Sequence, residues 1–274
     1  MVTSEWKGEF ERDGFTICRG FFSPEETAGL LSKLREAQTL ARQSRLDRSG
    51  LSFKHNLYQV SPALRDFVSQ EKVVHLLREI IGPDFWIRWD QTVEKTPGGD
   101  EFPWHQDNGY NGLKDGHFQL WVSLSDMTPE NGGLWLQRGS HRLGVRPHHV
   151  VGNHLVCPGD PETAVFVPAS PGDVVVFSSF MLHRTAPNVT EKGRLAYVVE
   201  YMSLDHFDPF IEPPYFVVAR GGEPRPSFVR FYRGRLNPAN QLKYLVPRAK
   251  RAVQKFRQFA GSILHGRRRT PAAG

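Results

Sequence analysis

The sequence predicts a mainly β protein with a jelly-roll core, a double-stranded β-helix buttressed by N-terminal α-helices. From residue 85 onward, the hydrophobic pattern repeats every two residues, in short runs separated by glycine- and proline-rich turns. Before residue 85, apolar residues recur every three or four positions, as in amphipathic helices. We expect N-terminal helices over residues 1–84, the jelly-roll core over 85–205 and a C-terminal extension over 206–242.

The N-terminal part contains three segments with helix signals. Residues 5–20 have the pattern of an entry helix followed by a short strand. Ser23 precedes a proline and two glutamates, which is typical of an N-cap and the first turn of a second helix. Residues 62–81 form a further helical segment that ends before a glycine–proline pair. Residues 41–56 between them are polar and basic, and we expect a loop there.

The core shows short strands with no helix between them. In the second of these strands, Leu120 and Val122 alternate with Gln119 and Trp121, which indicates one apolar face and one functional face. Residues 140–163 are rich in histidine, glycine and proline and predict a long loop. The strands that we predict lie at residues 85–93, 119–124, 133–136, 164–167, 173–177 and 194–202.

Composition indicates a globular protein in a reducing compartment. The 274 residues are 39% hydrophobic and 23% charged, ordinary values for a globular chain. Cys18 and Cys157 are the only cysteines, so the sequence has no disulfide framework. The N-terminus lacks a basic-then-apolar signal pattern, and no apolar run is long enough to span a bilayer. We expect a cytoplasmic protein.

The positive charge is concentrated in a C-terminal tail. Residues 243–274 contain nine Lys or Arg and no acid, which leaves 26 basic against 29 acidic residues before them. The charge is therefore not a nucleic-acid-binding signature of the whole domain. Residues 247–265 have apolar positions at helical spacing, so we predict a basic amphipathic helix. Such a helix could pack on the barrel, or its basic side could recruit an acidic carrier-bound substrate or an anionic membrane surface.

A candidate metal site begins with His105 and Asp107. These residues are two positions apart, so on an extended segment their side chains point to the same face. His183, far downstream, would supply a second imidazole. Two histidines and one carboxylate form the facial triad of non-haem Fe(II) oxygenases, which leaves coordination positions open. A His-x-Asp pair alone is weak support for a metal, and the surrounding residues carry the prediction.

With these residues assembled, the chain resembles the phytanoyl-CoA dioxygenase family of Fe(II)/2-oxoglutarate oxygenases. The resemblance covers roughly residues 10–205 and implies a cupin-like double-stranded β-helix. It also implies that substrate oxidation by O2 is coupled to the conversion of 2-oxoglutarate to succinate and CO2. The matching segments, in the family's order, are Trp104–Asp107, Met127–Leu134, Gly139–His141, Pro171–Asp173, His183 with Ala186–Asn188, and Arg194. Residues 207–235 depart from the family pattern.

The resemblance also implies a site for 2-oxoglutarate. Arg194 lies eleven residues after His183, where family members place the arginine for the 5-carboxylate. A guanidinium binds a carboxylate bidentately, which a lysine cannot do. Thr185 stands where the family often has a small hydroxyl beside the same carboxylate. Gln119 and Trp121 are weaker candidates for lining the cosubstrate pocket.

We expect the substrate to be a small molecule that is hydroxylated. Related halogenases have a small residue in place of Asp107, so its carboxylate favours hydroxylation or another oxidative outcome over halogenation. Desaturation, epimerisation and ring formation stay open as variants of the reaction. The candidate substrate-binding residues flank the triad in sequence and are Gln91, Trp104, Asn108 and Tyr110.

Two alternatives belong to other functional classes: a non-catalytic jelly-roll binding module, and a zinc-dependent hydrolase on a cupin-like barrel. The intact triad counts against the first alternative, and Arg194 would have no purpose in the second. The remaining histidines do not predict a second metal site. We expect His141 to support a turn, and His148, His149 and His154 to face solvent.

Overall fold

The structure is a computed structural model that describes residues 2–41 and 50–232. The helices in these ranges are α1 (Val2–Asp13), α2 (Pro24–Leu40), α3 (Leu57–Val60), α4 (Pro62–Val68), α5 (Glu71–Ile81) and α6 (Asp107–Asn111), with a short 3-10 helix at Ser140–Leu143. The strands are β1 (Phe15–Cys18), β2 (Leu51–His55), β3 (Phe85–Lys95), β4 (Phe102–His105), β5 (Phe118–Ser123), β6 (Leu134–Gln137), β7 (His149–Val151), β8 (His154–Val156), β9 (Ala164–Phe166), β10 (Val174–Ser178), β11 (His183–Thr185), β12 (Arg194–Ser203), β13 (Tyr215–Arg220) and β14 (Glu223–Val229).

These strands form the predicted jelly-roll, with antiparallel pairing throughout. The large sheet has the order β1-β10-β5-β12-β3-β13-β14, and β2 also pairs with β3. The smaller sheet has the order β4-β11-β6-β9. Strands that are neighbours in the sheets are mostly distant in sequence, as expected for two sheets that close around one core.

The large sheet has two buried faces. On one face, Leu120 and Val122 of β5 pack in a cluster with residues of the N-terminal helices. On the other face, Trp121 belongs to a second cluster that includes Leu134 and Leu136 of the smaller sheet. The alternation in β5 therefore directs apolar residues toward the helices and Trp121 toward the interior between the sheets, as predicted.

The N-terminal helices buttress the large sheet, as predicted. The hydroxyl of Ser23 accepts a hydrogen bond from the backbone N–H of Glu26, and the Glu26 side chain accepts one from the Ser23 N–H. This capping box satisfies two backbone donors at the start of α2. Leu30 and Leu34 follow on the face that the sheet covers, and both are buried.

Several segments differ from the prediction. Residues 51–55, part of the predicted loop, form β2, which pairs with Gln91–Lys95 of β3 and fills an otherwise open edge. Residues 140–163 contain the 3-10 helix and the β7–β8 hairpin. The extension contains the β13–β14 hairpin, which pairs with the first part of β3. Two of these differences, β2 and β13, arise because an open edge of β3 pairs with a distant segment, whereas β7 and β8 pair only with each other.

The predicted helix over residues 247–265, the rest of the tail, and residues 233–242 lie outside the described residues. Within the part of the chain that the structure describes, no helix is both long and apolar enough to cross a membrane.

Candidate active site

The pairing of β4 with β11 brings the three predicted metal ligands together. His183 is the register partner of His105, and the centres of the two rings are 4.0 Å apart. The Nε2 atom of each histidine lies 3.7 Å from Oδ1 of Asp107. Asp107 is the first residue of α6, so the chain is extended only as far as Gln106 and then turns. The turn directs the carboxylate toward both imidazoles.

Hydrogen bonds orient the two histidine rings and set their tautomers. The Nδ1 atoms of His105 and His183 lie 2.8 and 3.1 Å from the carbonyl oxygens of Pro103 and Met181. Each Nδ1–H therefore donates to a carbonyl, which leaves the Nε2 lone pair for a metal ion. Burial holds the pKa of His105 well below its usual range, so its imidazole is neutral. Nitrogen and oxygen donors in this facial arrangement fit Fe(II).

Gln119 fixes the carboxylate ligand. Its side-chain amide donates a hydrogen bond of 2.8 Å to Oδ2 of Asp107, which leaves Oδ1 facing the two histidines. Burial raises the pKa of Asp107, and a metal ion would offset that cost by favouring the carboxylate form. The sequence singled out Gln119 for the cosubstrate pocket, and the residue lines the cavity beside the triad.

Gln106 and His148 hold the turn between the ligands. The buried Gln106 amide donates to the carbonyls of Gly144 and Phe180, and its oxygen accepts from the Arg146 N–H. The backbone N–H of Gln106 donates to Nε2 of His148 at 3.0 Å. His148 was expected to face solvent, and that expectation is wrong.

Of the other histidines expected to face solvent, His149 is exposed, whereas His154 is half-buried. The ring centre of His154 lies 4.8 Å from that of Phe102, which lines the site's cavity.

Arg194 is a buried cation with little compensation. The residue is 0% exposed, and within the described residues its guanidinium makes one hydrogen bond, from Nη1 to the Val93 carbonyl at 3.3 Å, while Nε and Nη2 have no partner. Burial lowers its pKa to about 10, so the guanidinium remains charged at neutral pH. The group lies over the Trp121 ring, 5.3 Å from its centre. A buried charge without a partner is costly, so a bound anion would stabilise it. The distal carboxylate of 2-oxoglutarate is an anion with suitable chemistry for this guanidinium.

Lys95 is a second buried cation, which sequence reasoning missed. It is the register partner of Arg194, and its Nζ donates to the Thr185 hydroxyl at 2.9 Å and to the Ala186 carbonyl. Because the Thr185 oxygen accepts from Lys95, its own hydrogen is free to donate to a carboxylate. Burial, followed by the nearby charge of Arg194, lowers the pKa of Lys95 to about 7.

A cavity of about 280 Å³ opens onto the triad. Among the residues that sequence predicted for the cosubstrate or substrate, those in its wall are Gln91, Tyr110, Gln119, Trp121 and Thr185. The wall also contains aromatic rings that the sequence did not single out, namely Phe53, His55, Trp89, Phe102 and Phe177.

Trp104 and Asn108, two of the predicted substrate-binding residues, are not in the cavity wall. The Trp104 ring packs closely on Gly159, where a Cβ atom would lie 2.7 Å from the ring. The Arg184 guanidinium lies over the same ring in a cation–π contact. Asn108 is 0% exposed, and its amide donates to the Leu113 carbonyl. These two side chains are close to the triad in sequence, but they do not line the cavity.

A buried ionic network borders the metal site. Arg88 donates to Glu200 through Nη1 and to Asp208 through Nε. His117 Nε2 lies 3.2 Å from Oε2 of Glu200. Burial, and then the charge of Arg88, lowers the pKa of His117 to about 3, so this imidazole is neutral. Sequence reasoning missed the network because its members lie on separate elements.

Comparisons with known proteins agree with this architecture. The family model described as Phytanoyl-CoA dioxygenase (PhyH) matches residues 10–196. The ectoine dioxygenase of Nocardia farcinica is 26% identical over 262 residues, covering 83% of this chain and 85% of that protein.

Two solved structures share the fold. The non-haem monooxygenase ThoJ in its apo form has a TM-score of 0.67 at 24% identity, covering 92% of this chain and 99% of that one. SnoN, a non-haem α-ketoglutarate-dependent epimerase from nogalamycin biosynthesis, has a TM-score of 0.63 at 18% identity, covering 81% and 86%. The family match spans well over half of the chain and includes the triad. The chain belongs to the phytanoyl-CoA dioxygenase family of Fe(II)- and 2-oxoglutarate-dependent oxygenases.

Proposed function

We propose that this enzyme hydroxylates a small-molecule substrate while 2-oxoglutarate and O2 are converted to succinate and CO2. One observation carries the proposal: the three candidate iron ligands line one cavity together with Thr185 and Trp121, and the uncompensated cation Arg194 lies against the Trp121 ring behind that wall. The similarity to an ectoine dioxygenase supports a small-molecule substrate. The presence of Asp107 as a carboxylate favours hydroxylation over halogenation.

In this proposal, His105, Asp107 and His183 hold the iron, and Gln119 orients the carboxylate ligand. When bound, the iron would activate O2, which is the oxidant, and 2-oxoglutarate would supply two electrons as it is converted to succinate and CO2. The protein's part is to bind the substrate, orient its C–H bond and exclude water. The apolar wall of the cavity suits that part, because it keeps water from the reacting groups.

The distal carboxylate of 2-oxoglutarate is held by Arg194 and by the Thr185 hydroxyl in the same proposal. Lys95 acts through Thr185 and adds a second positive charge. Trp121 lies against the Arg194 guanidinium and restricts its movement. Together these contacts orient the keto-acid end of 2-oxoglutarate toward the triad.

Succinate formation tests the proposal. Purified protein supplied with Fe(II), 2-oxoglutarate and O2 should form succinate, and replacing Fe(II) with Zn(II) should stop it. Absence of succinate with Fe(II) would support a binding module. Zinc in protein kept anaerobic, together with activity that needs no 2-oxoglutarate, would support the hydrolase alternative.

We also propose a cytoplasmic location and a role for the basic tail. Cys18 and Cys157 are buried free thiols, which fits a reducing compartment. The nine basic residues after residue 242 suit an acidic carrier-bound substrate or an anionic surface.

A further inference from the structure

Glu200 lies beside the metal site without belonging to the triad. It is on β12, is only 2% exposed, and contributes to the cavity wall. The ligand atoms of Asp107, His117 and Glu200 all lie within 4.8 Å of one another. A substrate group bound to Glu200 would therefore hold its neighbouring C–H bonds close to the metal centre.

The two oxygens of Glu200 have different surroundings. Oε2 accepts a hydrogen bond from Arg88 and lies 3.2 Å from His117. Within residues 2–41 and 50–232, the hydrogen bond to this carboxylate is made at Oε2, and Oε1 has no protein donor. Because Glu200 lies in the cavity wall, Oε1 is suited to accept a hydrogen bond from a ligand there.

The charge of the network favours a cationic partner. Arg88 is the single cation between two buried carboxylates, Glu200 and Asp208, so the group carries one net negative charge. That charge borders the cavity through Glu200, whereas Asp208 is 0% exposed and is not in the wall. An anionic group at this position would be repelled.

The remainder of the wall suits an apolar body. The rings of Phe53 and His55 are parallel, and the His55 ring stacks on Trp89 with the centres 5.4 Å apart. Flat aromatic surfaces bind hydrocarbon rings, and they also attract an ammonium group.

We propose that Glu200 determines substrate specificity by accepting a hydrogen bond from an ammonium or hydroxyl group of a substrate whose apolar body lies against Phe53, His55 and Trp89. The proposal rests on the proposed function, because it names the substrate class of the same site. If Glu200 makes no contact with the substrate, it serves only as the buried ion-pair partner of Arg88.

Four probes of similar size test the preference: 2-phenylethylammonium, 2-phenylethanol, propylbenzene and 3-phenylpropionate. Their affinities would be measured by calorimetry on the full-length protein loaded with Zn(II) and 2-oxoglutarate, which does not turn over. The ammonium should bind most tightly and the alcohol next. The carboxylate should bind roughly tenfold or more weakly than the ammonium, because a charged hydrogen bond is replaced by repulsion. Equal binding of the ammonium and the carboxylate, or binding of none of the probes, would overturn the proposal.

Glu200→Gln separates recognition from structure. Its amide oxygen can still accept from Arg88, so the unfolding temperature should change little, while affinity for the ammonium probe should fall roughly tenfold. Propylbenzene should bind as before. Asp208→Asn is the matched control, because it alters the other partner of Arg88 outside the cavity wall. An equal change of probe preference in both variants, or equal weakening of all probes in Glu200→Gln, would assign Glu200 a structural role only.

The succinate assay distinguishes failure of the proposed function from failure of the role proposed for Glu200. Turnover of 2-oxoglutarate together with no preference for donor-bearing probes would overturn the role of Glu200 alone. Failure to form succinate with Fe(II) would overturn the proposed function, whatever the probes show.

Discussion

At the scale of single residues, the candidate metal site depends on each member of the triad. Each of Asp107 and His183 supplies one of three converging ligand atoms. Asp107→Ala and His183→Ala should therefore abolish both Fe(II) binding and succinate formation while the fold remains. Metal content, succinate and circular dichroism measure these effects, and His149→Ala, at an exposed histidine, is the control. Comparable turnover in either purified ligand variant would contradict the triad assignment.

Arg194→Lys tests the anchor for the distal carboxylate. A lysine retains the charge but loses the bidentate geometry, so the KM for 2-oxoglutarate should rise roughly tenfold or more. Steady-state kinetics of succinate formation measures it. An unchanged KM would place the anchor elsewhere, with Arg184, which lies between the rings of Trp104 and Trp135, as the next residue to test.

Lys95 predicts a pH dependence of cosubstrate binding. Because burial lowers its pKa to about 7, Lys95 is charged below that pH and neutral above it in the free protein. The charged form favours a dianionic ligand, so the affinity for 2-oxoglutarate should fall as the pH rises through 7. In Lys95→Gln the affinity should be low throughout, and this slope should disappear. Calorimetric titration with Zn(II)-loaded protein between pH 6 and 9 measures it, and identical slopes in both proteins would exclude Lys95 as the cause.

At the scale of elements, a buried carboxylate joins β3 to its neighbours. Oδ2 of Asp90 accepts hydrogen bonds from the Tyr58 N–H, at 2.9 Å, and from the Tyr197 hydroxyl. Burial raises the pKa of Asp90 to about 7. The folded state therefore holds a proton that the unfolded state loses at lower pH, and this stabilisation is lost as the pH rises through 7.

Asp90→Asn retains an oxygen acceptor without the charge. The advantage of the variant over the native chain should grow as the pH rises from about 4 and level off above pH 7, so it should be larger at pH 9 than at pH 5 by about 1 kcal/mol or more. Urea unfolding at both pH values measures the free energy of unfolding. A stability difference that does not vary with pH would show that Asp90 has the same protonation state in both conditions.

At the scale of the whole molecule, truncation after Leu242 removes the nine basic residues of the tail and leaves a net charge of about −3. If the tail recruits an acidic partner, the truncated enzyme should still form succinate but should lose salt-sensitive binding to anionic lipid vesicles or an acidic carrier protein. If the tail only packs on the barrel, the unfolding temperature should fall instead. Equal binding of the full-length and truncated proteins to these anionic partners at low salt would contradict the recruitment hypothesis.

The sequence by itself determined the jelly-roll class, the capped helix α2 and the residues of the triad. The class, the cap and the His105–Asp107 pair depend on short-range signals: alternation along one strand, a cap within one turn, and a spacing of two residues. His183 lies far downstream, and the surrounding family motifs supported its place in the triad. The family pattern added Arg194 and Thr185, since their positions are counted from His183. A hydrophobic period of two also indicated the two faces of β5 correctly.

Only the tertiary structure decided the strands β2 and β13, which pair with the open edge of β3 from distant parts of the sequence, and β14, which pairs with β13. It likewise decided the surroundings of Lys95 and Glu200. Lys95 meets Thr185 across 90 positions of sequence, and Glu200 meets Arg88 across 112. Contacts of that range depend on sheet register and closure, so a buried charge is recognisable as part of the site only when its partners are in place.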